Sequence, residues 1–151
     1  MSHNIKQKLQ GIQSSLKAPK GQTNKFGGYK YRSCEDILTA VKPLLAEWSC
    51  SISISDEMVE VGSRVYVKSV VHLYDSDSND FITAQAYARE AENKKGMDDA
   101  QITGSASSYA RKYALNGLFA IDDTKDPDAT NKHEKELTPT PSNTKKTEEL
   151  F

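Results

Sequence analysis

The stretch CSISISDEMVEVGSRVYVKSVVHLYDSDSNDFITAQAYAREA, residues 50–91, decides the fold of this chain. Apolar and polar side chains alternate in three segments of it, residues 50–55, 64–74 and 81–91. Alternation with a period of two predicts β-strands with one buried face, and Val59 and Val61 favour an extension of the first strand. Polar turns at 62–63 and 75–80 separate the segments, so we expect an antiparallel meander.

The next segment, GMDDAQITGSASSYARKYALNGLFAIDD (residues 96–123), predicts a long amphipathic helix. Asp98 is placed to cap its N-terminus, and Gln101 completes a capping box. One arc of the helix should face a core. It contains Ile102, Ala106, Tyr109, Ala110, Tyr113 and Gly117. The opposite arc contains Gly104, Ser107, Ser108 and Arg111, flanked by Ser105 and Lys112.

That small-residue arc has two interpretations. Tiny side chains let a polyanionic backbone approach closely, and the cations at one end of the arc can hold its phosphates. Alternatively, the arc packs on a neighbouring subunit or helix. The two are compatible if a subunit groove is also the binding groove.

Two further helices precede the strands. Residues 4–17 carry apolar side chains at helical spacing, and a second helix begins at Ser33 with Asp36 as its N-terminal signal. The second helix has a broad apolar stripe, and Pro43 within it predicts a kink or a shifted hydrogen bond. The fold class expected is therefore α+β, a three-stranded antiparallel meander with packed helices and a β-β-β-α core.

Between these two helices lies APKGQTNKFGGYKYR, residues 18–32, which its glycines and proline mark as a mobile loop. Aromatic and basic side chains interleave in it: Lys25, Phe26, Tyr29, Lys30, Tyr31 and Arg32. Aromatic rings stack on unpaired bases while cations neutralise phosphates, so the pattern favours single-stranded nucleic acid. The alternative is that Tyr29 and Tyr31 pack the loop onto the core.

Composition limits the number of domains and the classes of function. The chain has 151 residues, 36% of them hydrophobic, and a net charge of −1. It has too few aliphatic residues after Asp123 to form a core, so we expect one domain at 1–125 and a disordered tail at 126–151. All charged side chains before Glu35 are basic, whereas acidic ones predominate from Glu35 to Ala88. This segregation permits nucleic-acid binding despite the net charge.

No pattern predicts catalysis, a metal or a cofactor. The turn at 75–80 matches the start of an EF-hand loop, but Asp80 replaces the required glycine. Cys34 and Cys50 lack metal-ligand spacing, and the histidines are scattered. We therefore expect a protein that is not an enzyme. The sequence contains no signal peptide and no 18-residue apolar run, which predicts a cytoplasmic protein that binds no membrane.

Two segments carry a family resemblance. Lys30-Tyr31-Arg32-Ser33 leading into an apolar helix, and AYAREAENKKGMDDAQITGSASSYARKYALNGLFAIDD (86–123), resemble the ERF (essential recombination function) family of phage single-strand annealing proteins. The resemblance covers about residues 4–125. It implies an ATP-independent protein that coats single-stranded DNA, anneals complementary strands in phage recombination and forms homo-oligomeric rings or filaments in the bacterial host cytoplasm.

The resemblance also suggests DNA contacts. The element order is similar to the core of the eukaryotic annealing proteins of the same broad superfamily, in which a basic pair lines the DNA groove. By position that pair is Arg111 and Lys112. We expect Lys94 and Lys95, between the last strand and the helix, and Arg89 to contact phosphates as well. Together with the aromatic and basic residues of the loop, the predicted DNA-binding set is Arg111, Lys112, Lys94, Lys95, Arg89, Lys25, Tyr29, Lys30, Tyr31 and Arg32. Candidate protein partners are a host or phage single-strand-binding protein and an exonuclease.

Two other classes of function stay open. One is a partner-binding or host-antagonist module that does not anneal DNA. The other is a nuclease or helicase accessory factor that acts through the acidic and hydrophobic end Glu148–Phe151. The tail is too short for a second folded domain, so functions that depend on such a domain in relatives are not expected.

Overall fold

The computed structural model describes residues 2–92 and 96–121. These residues form three α-helices and five β-strands in the order α1 (Ile5–Ser15), β1 (Gln22–Thr23), β2 (Lys30–Tyr31), α2 (Cys34–Glu47), β3 (Cys50–Val61), β4 (Arg64–Asp75), β5 (Phe81–Arg89) and α3 (Asp99–Phe119). They divide into two compact units, residues 21–31 and the remainder. The predicted α+β class is confirmed. The predicted boundary between 1–125 and 126–151 lies outside the described residues.

The larger unit contains an antiparallel sheet of order β3-β4-β5, as the alternating segments predict. Its register places Ile52 opposite Leu73, and Leu73 opposite Ile82, so these side chains share one face. Leu73 is completely buried, and Ile52 and Ile82 pack against the core cluster. Because side chains alternate along a strand, this register directs every second residue toward the helices.

All three helices begin with a capping box. At α3, the Asp98 side chain accepts a hydrogen bond from the Gln101 backbone at 2.8 Å, and the Gln101 side chain accepts one from the Asp98 backbone at 3.0 Å. Ser33 and Asp36 form the same arrangement at α2. These boxes satisfy backbone donors that the first helical turn leaves unpaired, and they confirm both predicted helix starts.

The burial of α3 differs from the predicted arc. Ile102, Ala106 and Ala110 are buried as expected, but Tyr109 is 51% exposed and Tyr113 is 45% exposed. The buried positions of the C-terminal half are Ala114, Leu115, Leu118 and Phe119. The reason is tertiary: α3 contacts α1 and α2 in addition to β4 and β5, so a second side of the helix is covered.

Helices α1 and α2 complete the core on the same side of the sheet. Ile12 of α1 and Ile37 and Val41 of α2 are fully buried in one cluster with Leu115 and Phe119. Pro43 lies inside α2, which runs from Cys34 to Glu47. The helices thereby fix the C-terminal half of α3, while Ala106 and Ala110 in its N-terminal half pack against Val67 and Ala88 of the sheet.

The smaller unit contains two short strands where the sequence predicts a loop. β1 and β2 pair antiparallel, so residues 22–31 form a hairpin. Asn24 organises its turn: the side-chain oxygen accepts hydrogen bonds from the backbone of Phe26 and Gly27, and the side-chain nitrogen donates to the Tyr29 hydroxyl. Gly28 has a φ of 67°, a left-handed conformation that glycine adopts without strain.

Candidate nucleic-acid interface

A groove of about 460 Å³ runs between α3 and the edge strand β5. Its apolar floor contains Ala88, Ile102 and Ala106. Its remaining lining residues are Tyr87, Arg89, Ala91, Ser105, Tyr109 and Tyr113. Small alanines on the facing strand let α3 lie close to the sheet. The tyrosine side chains lie at the border of this helix–sheet contact. Among the described residues, the groove therefore combines flat apolar surfaces with one cation.

Tyr109 and Tyr113 form a pair on α3. They lie four residues apart, which places them one above the other on the helix surface. Their ring centroids are 6.4 Å apart and their planes differ by 20°. Tyr87 of β5 is also about half exposed. Exposed, nearly parallel aromatic rings offer faces on which a planar base can stack.

Arg89 supplies the cation of the groove. It is the last residue of β5 and is exposed. Within the described ranges, no carboxylate forms an ion pair with it; the neighbouring Glu90 instead accepts a hydrogen bond from Thr103 on α3, at 2.9 Å. Arg89 thus keeps a charge that an incoming anion can use.

Arg111 lies on the other flank of α3, where it binds Asp56 of β3. Its Nε is 3.2 Å from each carboxylate oxygen, and its Nη2 is 3.1 Å from Oδ2. Ser107 and Ser69 also donate hydrogen bonds to this carboxylate. In this conformation the protein itself compensates the positive charge of Arg111.

Asp56 remains ionised at neutral pH. Burial alone raises the pKa of this carboxyl, but hydrogen bonds from Arg111, Ser107 and Ser69 outweigh burial and hold the pKa below its usual range. An anion that binds Arg111 must therefore compete with a carboxylate that is charged at neutral pH.

Lys112, the second member of the predicted basic pair, is only 7% exposed. Its ammonium lies 5.8 Å from the ring centroid of Tyr113, within the range of a cation–π contact. The helix flank that carries Lys112 is covered, which the sequence pattern does not reveal. The structure does not bring Arg111 and Lys112 together as two equally exposed cations.

The hairpin of residues 21–31 holds four predicted site residues, Lys25, Tyr29, Lys30 and Tyr31. The rings of Tyr29 and Tyr31 are 6.3 Å apart and inclined at 64°, and both are partly buried. Both lysines are exposed. Phe26, at the turn, is completely exposed. Tyr29 therefore has a structural contact within the hairpin, whereas Phe26 presents both faces of its ring to solvent.

The three remaining predicted residues have different settings. Arg32 is partly buried, and its Nε donates a hydrogen bond to the Ala18 carbonyl at 2.6 Å, which joins the segment after α1 to the start of α2. Lys94 and Lys95 lie outside the described residues.

Two negative findings concern the described residues alone. In residues 2–92 and 96–121, no group of three or more His, Cys, Asp or Glu side chains is placed to hold a metal ion. Asp75 and Asp77, which start the EF-hand-like turn, instead bind the ammonium of Lys8. No helix in these ranges has the length and apolar character needed to cross a membrane.

Sequence patterning misses the groove aromatics. The helical arc assigns Tyr109 and Tyr113 to a core. Strand alternation places Tyr87 correctly on the face away from the helices, where it pairs in register with Lys68, but it does not show that Tyr87 also lines the groove. The sequence feature that could have indicated these aromatic residues is a pair of tyrosines four residues apart, in a helix that follows an alanine-rich strand. It becomes informative only once the edge position of β5 is known, because an edge strand leaves such side chains uncovered.

Comparisons with known proteins agree with one another. The sequence model of the ERF superfamily matches residues 5–150. The "Essential recombination function protein" of Salmonella phage P22 is 54% identical over 142 residues, a match that covers 94% of this chain and 67% of that relative. No solved structure matches this chain.

Proposed function

The chain belongs to the ERF superfamily, and from this membership we propose that it binds single-stranded DNA and anneals complementary strands during phage recombination. The name of the phage P22 relative supports the recombination role. The observation that carries the DNA-binding part is the groove between α3 and β5, in which Tyr87, Tyr109 and Tyr113 stand beside Arg89.

The groove chemistry favours single strands over duplexes. Each base of a single strand has a free π-face, and stacking on an aromatic side chain contributes about 1–3 kcal/mol per base. In a duplex those faces are stacked on one another and are closed to the tyrosines. The Arg89 guanidinium binds a phosphate of the same strand through charge-assisted hydrogen bonds.

Stacking also explains how a bound strand can anneal. A tyrosine that contacts the face of a base leaves its Watson–Crick edge open to a second strand. Pairing then replaces base–tyrosine stacking with base–base stacking and hydrogen bonds, so the free energy comes from the DNA. In this scheme the reaction requires neither ATP nor a metal, and the protein is not an enzyme.

Further phosphate contacts follow from the predicted set. Arg111 on the opposite flank of α3 is a further phosphate contact in this proposal. Lys94 and Lys95, which precede the helix in sequence and lie outside the described residues, stay in the predicted set. The hairpin residues Lys25, Tyr29, Lys30 and Tyr31 add a second aromatic and basic element. In this scheme the ammonium of Lys112 contacts the Tyr113 ring, and Arg32 orders the chain at the start of α2.

Assembly is a further part of the proposal. β3 and β5 are the edge strands of the described three-stranded sheet, and open edges can pair with another copy. Side-by-side subunits in a ring or filament would join their grooves into a continuous track in the bacterial cytoplasm. A host or phage single-strand-binding protein or an exonuclease would deliver the DNA.

Two measurements test this function. Fluorescence anisotropy with labelled single strands of increasing length, at two salt concentrations, should show affinity that rises with length and falls with salt. Mixing two complementary, hairpin-free oligonucleotides should show faster annealing with the protein and without ATP. The proposal is contradicted if the folded protein binds duplex DNA as tightly as single strands, or if it binds neither. Binding of neither would favour the partner-binding or host-antagonist module.

Arg64 provides a matched control for a substitution of Arg89. Arg89→Ala should weaken single-strand binding and reduce the slope of log affinity against log salt by about 0.7, the value for one phosphate contact. Arg64 is also exposed on the sheet but faces Glu92 at 3.8 Å. Arg64→Ala should therefore change affinity less, although both variants lose the same charge.

A further inference from the structure

Asp56 occupies a position that the strand pattern reserves for an apolar side chain. In β3 it follows Ile52 and Ile54 on the face directed at the helices, and it pairs in register with Ser69 of β4. Ser69 is completely buried and donates a hydrogen bond of 2.6 Å to the Asp56 carboxylate. A carboxylate at the border of a sheet–helix contact has to be compensated by specific donors.

The donors around Asp56 are those that bind phosphate. The Arg111 guanidinium approaches through Nε and Nη2, and the hydroxyls of Ser107 and Ser69 complete the set. A planar guanidinium fork and hydroxyl groups bind carboxylates and phosphates with the same geometry. The arrangement is therefore an anion site that the protein fills with its own carboxylate.

The site opens to solvent. The side chain of Arg111 is 39% exposed and that of Asp56 is 24% exposed. On α3 the adjacent outer positions are Gly104 and Ser108, both exposed, and a methyl group added at Gly104 would meet no neighbour within 4 Å. A bulky polyanion can thus reach Arg111 without displacing the fold.

We propose that Asp56 is an internal substitute for a DNA phosphate, which holds Arg111 in place in the free protein and gives it up when single-stranded DNA binds. Asp56 is thus a positioning residue that acts through Arg111 and sets the affinity of that contact. The inference rests on the proposed DNA binding. If the ion pair served only to stabilise the fold, removing the Asp56 carboxylate would not improve DNA binding. The proposed role predicts that its removal strengthens binding.

The test is a set of charge-neutralising variants in the anisotropy measurement. Asp56→Asn keeps the size of the side chain and removes its charge. It should bind single-stranded DNA about two- to fivefold more tightly, the fold-change that corresponds to releasing a partly exposed ion pair. The salt slope should steepen by about 0.7, because the phosphate that binds Arg111 releases a counterion and no freed Asp56 carboxylate takes one up.

Glu57→Gln is the matched control. Glu57 is the next residue, and its substitution by Gln removes the same charge. It lies on the other face of β3, where it pairs in register with Lys68. It should change affinity and salt slope much less than Asp56→Asn. Equal effects of the two variants would show that only net charge matters and would overturn the proposal.

A double-mutant cycle isolates Arg111. The gain from Asp56→Asn should disappear in the Arg111→Ala background, because no guanidinium remains to be released. A gain that persists there, or weaker binding by a folded Asp56→Asn protein, also overturns the proposal. If Asp56→Asn does not fold, Asp56→Ser, which keeps a hydroxyl for Ser69, is measured with the same expectations. Absence of single-strand binding by the unaltered protein would refute the proposed function itself.

Discussion

The ammonium nitrogen of Lys8 lies 2.6 Å from Oδ1 of Asp75, and this contact joins α1 to the end of β4. Both side chains are almost completely buried, and Asp77 adds a second carboxylate at 2.7 Å. Hydrogen bonds to the two carboxylates raise the pKa of Lys8, and the bond from Lys8 lowers the pKa of Asp75. The turn that matches the start of an EF-hand loop in sequence thus binds the ammonium group of Lys8.

Replacing Lys8 by Met should destabilise the fold. The thioether side chain fills a similar volume but leaves the Asp75 carboxylate buried without its cation, which is strongly unfavourable. We expect a fall in Tm of several degrees, measured by circular dichroism. Lys6→Met is the control, since Lys6 is exposed on the same helix; an equal fall in both variants would contradict the assigned role.

The pH dependence of stability should follow from the same pair. The depressed pKa of Asp75 contributes stability that is present above its unfolded value of about 3.9 and is lost as pH falls through the lower folded value. The raised pKa of Lys8 contributes stability that is present below about 10.4 and is lost as pH rises through the folded value. Lys8→Met removes the main cause of the depressed Asp75 pKa, so stability should fall less steeply as pH is lowered. The deficit of the variant relative to the unaltered protein should therefore shrink toward acid pH, which a series of melting curves between neutral and acid pH can show.

Gly11→Ala should destabilise the contact between α1 and α2. A Cβ atom at Gly11 would overlap the Trp48 ring, and overpacking of this kind costs about 1–3 kcal/mol. Gly104→Ala is the matched control, because Gly104 also lies inside a helix but has open space around it. That variant should be more stable by up to about 1 kcal/mol in urea unfolding. The prediction fails if both substitutions stabilise.

Tyr109→Ala should reduce single-strand affinity by about 1–3 kcal/mol and leave Tm almost unchanged, since the ring is half exposed. Tyr109→Phe should retain most of the affinity, because stacking requires the ring and not the hydroxyl. Phe81→Ala provides the control for loss of an exposed aromatic side chain outside the groove. If Tyr109→Ala lowers Tm and leaves affinity intact, the tyrosine pair is a packing element.

The hairpin allows a comparison of two aromatic residues. Phe26→Ala should weaken single-strand binding by about 1–3 kcal/mol, because its exposed ring is free to stack on a base. Tyr29→Ala should disturb the hairpin itself, because it removes the acceptor of the Asn24 side chain. Backbone chemical shifts of residues 22–31 distinguish these effects from a direct contact. Unchanged affinity in both variants would remove the hairpin from the interface.

Local sequence determined the three helices and the three strands of the meander, but not the hairpin of β1 and β2. Alternation in residues 50–91 predicts β3, β4 and β5 and their antiparallel order, and Asp98 with Gln101 marks the start of α3. These predictions succeed because strand periodicity and capping act between residues that are close in sequence, so the chain encodes them locally.

The tertiary structure alone decided which side chains of α3 are available. Arg111 meets Asp56 across 55 positions of sequence, Lys112 becomes buried, and Tyr109 and Tyr113 become exposed. A helical arc computed from sequence treats α3 as a cylinder packed on one side, whereas α1 and α2 cover a second side of its C-terminal half. Burial and charge compensation depend on these long-range contacts, and no local pattern records them.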